Sequence, residues 1–391
     1  MQKRGPLFLR PLVLVFILLT FPCMGINQVQ ASVPDYWPTD DWQTSTPEAH
    51  NMNVTRLQEM EAYINDSTWA DDIISLLIVH DGYLVYENYF GHPENIDVAN
   101  EIHSCSKSVT SLLVGIAIAQ NHISGVDDFV LDYFPDRTFE NMDARKEAIT
   151  IEHLLTMTSG LPWTEGEYGA LVSSPDWVKW LLDRPMEYAP GERWVYNTGG
   201  SHLLSAIVSE ATGQNTTVFA DEFLFSPLGI SYWWWPGDPQ GAAMGGSDLY
   251  LRPRDIAKIG YLCLRGGVWD GQIIVPLSWL VTSTSCHLTF HPIPGSSGYG
   301  YQWWVYPHVG AYAARGVLGQ HIWVIPNRDL VVVITGDSDG IQHHMIVENF
   351  IIPSTPTLPP SINPVLILLP LGLGVAVGVV AISVFWKRRM Q

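Results

Sequence analysis

Cysteine is scarce in this chain, with four residues in 391. Cys23 falls in an apolar N-terminal segment, and Cys105, Cys263 and Cys286 are too few for a disulfide-stapled scaffold. Only a Cys263–Cys286 bridge is worth weighing, because Cys105 reads as a small core residue. Basic residues are scarce as well. Six of the 20 Lys and Arg (Lys3, Arg4, Arg10, Lys387, Arg388, Arg389) lie in two terminal segments without acids, leaving 14 bases against 39 acids and a net charge of −25 in between. With no basic stripe to neutralise phosphates, nucleic acid is excluded as a partner. The chain also lacks a Gly-x-Ser-x-Gly elbow, which argues against an α/β-hydrolase triad, a His-Glu-x-x-His pair, and any internal repeat. His287 and His291 are four apart and His343 and His344 adjacent, but no cysteine or acid stands at ligand spacing around them, so neither a metal nor a cofactor is expected.

The two termini read as targeting and anchoring. Residues 1–31 place Lys3, Arg4 and Arg10 ahead of an apolar run and then small and polar residues, the pattern of a secretory signal. Residues 365–386 form an uninterrupted uncharged apolar stretch, long enough as a helix to span the ~30 Å hydrocarbon layer. The basic tail at 387–391 favours a cytoplasmic C-terminus. A Pro-rich linker, residues 353–364, separates this span from a globular unit at 32–352. The expectation is a single-pass membrane protein with its catalytic domain outside the cytoplasm and a lipid bilayer as one partner. Asn53, Asn65 and Asn215 head three glycosylation sequons. The pattern says nothing of oligomeric state.

Within the globular unit, strand signals cluster at both ends. Ser75–His80 and Tyr83–Tyr89 flank Asp81-Gly82, a strong hairpin signal. Gly300–Tyr306, Gly310–Gly316, Gln320–Pro326 and Leu330–Thr335 follow near the end. Between them the spacing predicts helices over 104–120, 152–157, 177–183, 201–212 and 253–264. The fold class is therefore α+β, an antiparallel sheet built from both chain ends with flanking helices, plus an inserted, mainly helical lobe. Trp233-Trp234-Trp235, between Gly229 and Pro236, reads as a loop near a cleft mouth, where it could gate a bulky substrate or touch a membrane surface.

The most informative local feature is Ser104-Cys105-Ser106-Lys107 at the start of an apolar helix. Residues three apart share a helix face, so an unprotonated Lys107 amine could take the Ser104 proton during nucleophilic attack. Chance alone produces this spacing roughly once or twice in such a chain, and an N-cap is the alternative role for a serine there. Ser106 and Ser108 compete as nucleophiles but have no lysine three or four residues on.

Further motifs supply the context: Thr150-Ile151-Glu152-His153-Leu154-Leu155-Thr156-Met157-Thr158-Ser159-Gly160-Leu161, Pro190-Gly191-Glu192-Arg193-Trp194-Val195-Tyr196-Asn197, Gly199-Gly200-Ser201-His202-Leu203-Leu204, and Arg252-Pro253-Arg254-Asp255-Ile256-Ala257-Lys258-Ile259-Gly260. With Ser104-Cys105-Ser106-Lys107-Ser108, they make the chain resemble the serine β-lactamase and penicillin-binding-protein superfamily, in the branch that holds class C β-lactamases, D-alanyl-D-alanine carboxypeptidases and related esterases. The resemblance implies an acyl-enzyme on Ser104, with Lys107 and Tyr196 as proton carriers and a lysine-stabilised tyrosinate. It also implies a substrate-binding role for Asn197 or Thr198, since Thr198 stands where the family has asparagine. The family's Lys-Thr-Gly or His-x-Gly triplet is replaced by Ala314-Arg315-Gly316. Arg315, on the opposite strand face from Ala314, reads as structural, while the N–H groups of Ser104 and of Val317, just after Gly316, are the candidate oxyanion hole. Loss of a cation at 314 points to a small-molecule or peptide-like ester or amide rather than a lactam or D-alanyl peptide. The alternatives are a D-alanyl-D-alanine carboxypeptidase or β-lactamase, and a catalytically inactive binding protein. His321 could line the pocket but is given no catalytic role.

Overall fold

A computed structural model describes residues 34–66, 73–90, 93–289, 298–338 and 343–356. The signal segment, the apolar span, the basic tail, most of the Pro-rich linker and His291 lie outside the described residues. Among the described residues no helix is long and apolar enough to cross a membrane.

Asp81 and Gly82 both take positive φ, 52° and 87°, the geometry that matches a tight hairpin to strand twist. They join β1 (Ile73–His80) to β2 (Tyr83–Tyr89). Short strands follow in the lobe between the two ends: β3 (Asn100–Glu101), β4 (Trp233–Trp234), β5 (Tyr250–Leu251), and a hairpin of β6 (Val268–Trp269) and β7 (Gln272–Ile273). The C-terminal part adds β8 (Leu288–Thr289), β9 (Gly298–Tyr299), β10 (Trp304–Tyr306), β11 (Ala311–Gly316), β12 (Gln320–Ile325) and β13 (Leu330–Gly336). The main sheet is antiparallel in the order β2-β1-β13-β12-β11-β10-β9-β8, so strands from both ends meet at β1 and β13. The α+β class and the assembly from both ends are as expected.

Several local expectations differ from the structure. The strand predicted from Gly300 to Tyr306 breaks at Gln302, whose φ of 66° turns the chain. The Gln302 amide then donates to the carbonyls of Leu154 and Leu155, so side-chain bonding replaces the ladder there. Trp233 and Trp234 form strand β4 rather than a loop, paired with β5, which pairs in turn with β3. The helical segment at 343–354 extends through Ile352–Ser354, which takes the folded unit two residues into the predicted linker. Cys263 and Cys286 are free thiols, so the weighed bridge does not form.

Period-two alternation sends the two halves of each strand to different cores. Leu76, Ile78, Val332 and Ile334 pack on Met60 and Ile64 of α1 (Val54–Asp66) and on Ile346 and Ile351 of the C-terminal helical segment. Leu77, Val79, Val331 and Val333 face the other core, which holds Ile256 and Ile259 of α6 (Pro253–Leu264). That core also takes α2 (Cys105–Ala119), buried without a break from Cys105 to Ala117. A helix apolar all round must be buried all round, and α2 is the central pillar against which α5 (Thr198–Thr212) stands in the helical lobe, beside α3 (Ile151–Leu155) and α4 (Trp177–Leu182).

One turn couples this lobe to the site. Met157 (φ 62°) and Gly160 (φ 77°) reverse the chain after α3. Met157 O accepts from Val195 N at 2.9 Å, Thr158 O from Gly191 N at 2.8 Å, and Gly160 O from Glu187 N at 3.0 Å, so the turn grips the segment that ends in Tyr196. A Cβ at Gly160 would stand 2.4 Å from the Tyr188 carbonyl oxygen. Gly160→Ala should therefore destabilise the fold by about 1–3 kcal/mol, read by urea denaturation, and lower activity by displacing Tyr196.

Candidate active site

Ser104 stands at the entrance to α2, after His103 in the left-handed region at φ 45°. Its hydroxyl makes no capping bond, so it is not an N-cap in function. Lys107 Nζ instead donates to Ser104 Oγ at 2.9 Å. The competing serines are committed elsewhere: Ser106 Oγ donates to His103 O at 2.6 Å, and Ser108 Oγ to Gln302 O at 2.7 Å.

Lys107 is fully buried, and its amine has two more partners, Thr198 Oγ1 at 2.8 Å and Gly246 O at 2.7 Å. Burial, opposed by the nearby Glu165 carboxylate, pulls its pKa down to about 8. At pH 7 roughly a tenth of the amine is therefore neutral, and the fraction rises toward half at about pH 8. The Gly246 carbonyl is held by a loop whose anchors are buried. His202 Nε2 lies 3.1 Å from Asp238 Oδ2, Trp235 Nε1 donates to Met244 O and Ser247 O, and Thr110 Oγ1 donates to Gly245 O.

Tyr196 lies with its ring centroid 4.7 Å from Lys107 Nζ, stacks on Trp304, and has its phenol close enough to the Ser104 side chain to interact with it. Burial raises its phenol pKa, and the Ser104 contact offsets this only in part. This corrects the tyrosinate expectation. Desolvation outweighs the neighbouring cation, so Tyr196 is a neutral phenol and Lys107 the group poised to lose a proton.

The uncertainty between Asn197 and Thr198 resolves on geometry. Asn197 caps α5, its side-chain oxygen accepting from Gly200 N at 2.7 Å, and lines neither of the two cavities at Ser104. Thr198 faces inward, accepting from Lys107 and donating to Glu165 Oε2 at 2.7 Å. Glu165 Oε1 accepts from Trp163 Nε1 at 2.6 Å. Sequence reasoning missed Glu165. It follows Ser159-Gly160-Leu161 in an irregular stretch with no periodic signal, and only its place behind that motif could have flagged it.

Two cavities meet at Ser104. The larger, about 480 Å³, is walled by Glu101, His103, Glu165, Tyr168, Thr198, Trp234, Asp248, Tyr250 and Val317. The smaller, about 330 Å³, is walled by Glu165, Tyr196, Trp304, Arg315, Gly316 and Val317. Trp234 lines the larger cavity while Trp235 is buried. Gly316 lets β11 approach the segment just before Ser104, since a Cβ there would lie 2.5 Å from the Ile102 carbonyl oxygen. Arg315 is the second correction. It does point to the face opposite the buried Ala314, but that face carries Trp304 and Tyr306, so Arg315 borders the smaller cavity while its guanidinium donates to Tyr306 Oη at 3.1 Å. His321 is buried against His343 and lines neither cavity. Among the described residues no cluster of three or more metal-ligating side chains occurs.

The sequence profile of the family described as Beta-lactamase matches residues 73–344. The chain belongs to the beta-lactamase family. An uncharacterized protein of Alkalihalophilus pseudofirmus is 26% identical over 306 residues, 68% of this chain and 84% of the relative. Esterase EstB of Burkholderia gladioli is 29% identical over 155 residues, 36% of this chain and 39% of the esterase. Other curated relatives are spanned over 34% to 49% of their length. In fold, the octameric penicillin-binding protein homologue from Pyrococcus abyssi matches with a TM-score of 0.61 at 20% identity, covering 75% of this chain and 77% of the homologue. The beta-lactamase family chain is thus a serine hydrolase in class, with a fold shared with a penicillin-binding protein homologue.

Thr198→Val should lower kcat, because it removes a partner of the Lys107 amine. Asn197→Ala should instead cost about 1 kcal/mol of stability through the lost cap, with KM little changed. Steady-state kinetics and urea melts on both variants separate the two roles.

Proposed function

We propose that this chain is a membrane-anchored, extracytoplasmic serine hydrolase that forms an acyl-enzyme on Ser104. The observation that carries the reading is the buried Lys107 amine 2.9 Å from the Ser104 hydroxyl. In the acylation step the Ser104 proton passes to neutral Lys107 while Oγ bonds to the substrate carbonyl carbon. The carbonyl oxygen takes the negative charge and is met by the N–H groups of Ser104 and Val317, which border both cavities beside Gly316. The tetrahedral adduct collapses as the leaving oxygen or nitrogen receives a proton through Tyr196, whose neutral phenol suits a donor, and Lys107 recharges it. Water then cleaves the Ser104 ester by the reverse sequence of transfers. Anchoring rests on the charged and apolar patterning of residues 1–31 and 365–391.

Ester or amide substrates of modest size fit two cavities that meet at the nucleophile, and the EstB relative supports that class. Arg315 favours a second reading. A guanidinium on the wall of the smaller cavity can pair with a carboxylate in bidentate fashion, as a D-alanyl peptide or a lactam would require.

Intact-mass analysis of the purified protein after exposure to a fluorophosphonate or a fluorescent penicillin, with Ser104→Ala as control, tests both. The expected result is a Ser104-dependent fluorophosphonate adduct. Labelling by penicillin as well would select the carboxylate-recognising reading, and no adduct from either on folded protein would leave a non-catalytic binding protein.

A further inference from the structure

For Lys107 to accept the Ser104 proton, its lone pair must face Ser104 Oγ, yet three acceptors surround the amine. Something must decide which of the three contacts is reversed. The Gly246 carbonyl can only accept, so one N–H is committed to it. Thr198 could either donate or accept, and Glu165 settles which. A carboxylate only accepts, so the 2.7 Å contact to Oε2 obliges the Thr198 hydroxyl to donate there. Its remaining lone pairs then take a second N–H from Lys107. The last tetrahedral direction of the neutral amine, toward Ser104, is left to the lone pair.

We propose that Glu165 is a positioning residue for the proton transfer, acting through the Thr198 hydroxyl to aim the Lys107 lone pair at Ser104. This rests on the reading of Ser104 as nucleophile and Lys107 as base. The placement of Glu165 suits the task. Its Oε1 is held by Trp163 Nε1 and by Thr198 N at 3.3 Å, so the carboxylate is fixed at both oxygens while its outer surface borders both cavities. A glutamine in its place offers one acceptor oxygen where two are used, so either the Thr198 hydroxyl or the Trp163 and Thr198 N–H groups lose a partner.

Glu165 also carries a charge that favours the ammonium form of Lys107. The other ionisable groups that act on Lys107 are Cys105, on its own helix, and Asp248, in the stretch before β5, while Tyr196 presents its ring face. Removing the Glu165 charge should shift the base to a lower pKa, which moves the acid limb of kcat/KM to lower pH.

The test compares Glu165→Gln, Thr198→Val and the double variant with wild type, using p-nitrophenyl butyrate hydrolysis across pH. Glu165 is solvent-accessible and its replacement isosteric, and a thermal melt verifies folding. The expected result for Glu165→Gln is a kcat lower by about tenfold, a part of the roughly 10²–10⁴-fold that a positioned proton acceptor supplies. KM should change by less than about twofold, and the acid limb should move to lower pH. In the Thr198→Val background the same substitution should lower kcat no further, because the relay is already cut. An equal loss in both backgrounds, a raised KM at unchanged kcat, or an unmoved acid limb would each overturn the inference. Failure of the underlying reading shows separately, as a wild-type protein that takes no Ser104 adduct, and overturns it too.

Discussion

A lysine amine taken wholly out of water is the constraint around which this molecule is arranged. Holding Lys107 at a pKa of about 8, against an ordinary 10.5, costs the fold about 3 kcal/mol at neutral pH. The sign follows from proton binding. Between about pH 8 and 10.5 the unfolded chain binds the proton that the folded one releases, so the penalty is full below that window and fades as pH rises through it. The fold sustains it because three acceptors from distant parts of the chain converge on one atom: Ser104 ahead of α2, Thr198 at the start of α5, and Gly246 in a loop pinned by the buried His202 and Asp238. A buried helix as apolar as α2 makes the desolvation unavoidable. The price in stability is what makes the amine usable as a base.

The same desolvation acts oppositely on the neighbouring phenol. Burial lowers a lysine and raises a tyrosine, so Lys107 and Tyr196 are driven toward the state in which both are neutral. A neutral amine and a neutral phenol flanking one hydroxyl form an acceptor and a donor, the two functions that acyl transfer needs. Around them the cavities differ in charge. Asp248 and Glu101 line the larger one alone and Glu165 lines both, whereas Arg315 brings the smaller one a cation in an otherwise strongly acidic chain.

Much of this was legible from the chain alone. The hairpin at Asp81-Gly82, the sheet built from both ends and the apolar helix after Ser104 follow from turn chemistry and period, which depend on neighbours within a few residues. The Ser104–Lys107 contact was legible for the same reason, since a helix sets the three-residue spacing. What could not be read was set by long-range packing. Glu165 and Gly246 reach Lys107 only through the tertiary fold, and no local pattern marks a carbonyl as a base's acceptor. Arg315 shows the limit of strand alternation. The opposite-face assignment held, but whether that face meets core or cavity depends on Trp304 and Tyr196. The ionisation of Tyr196 was misjudged because proximity to a cation is visible in a motif, whereas the burial that outweighs it is not.

The most direct test is the protonation state of Lys107 itself. Titration of lysine-labelled protein by heteronuclear NMR, with the Lys107 side-chain signal assigned through Lys107→Arg, reports its pKa without reference to any substrate. A midpoint at about 8 would confirm that the fold delivers a neutral amine to Ser104. A midpoint at or above 10.5, the value of an unburied lysine, would contradict the account, because a permanently charged Lys107 could not take the serine proton.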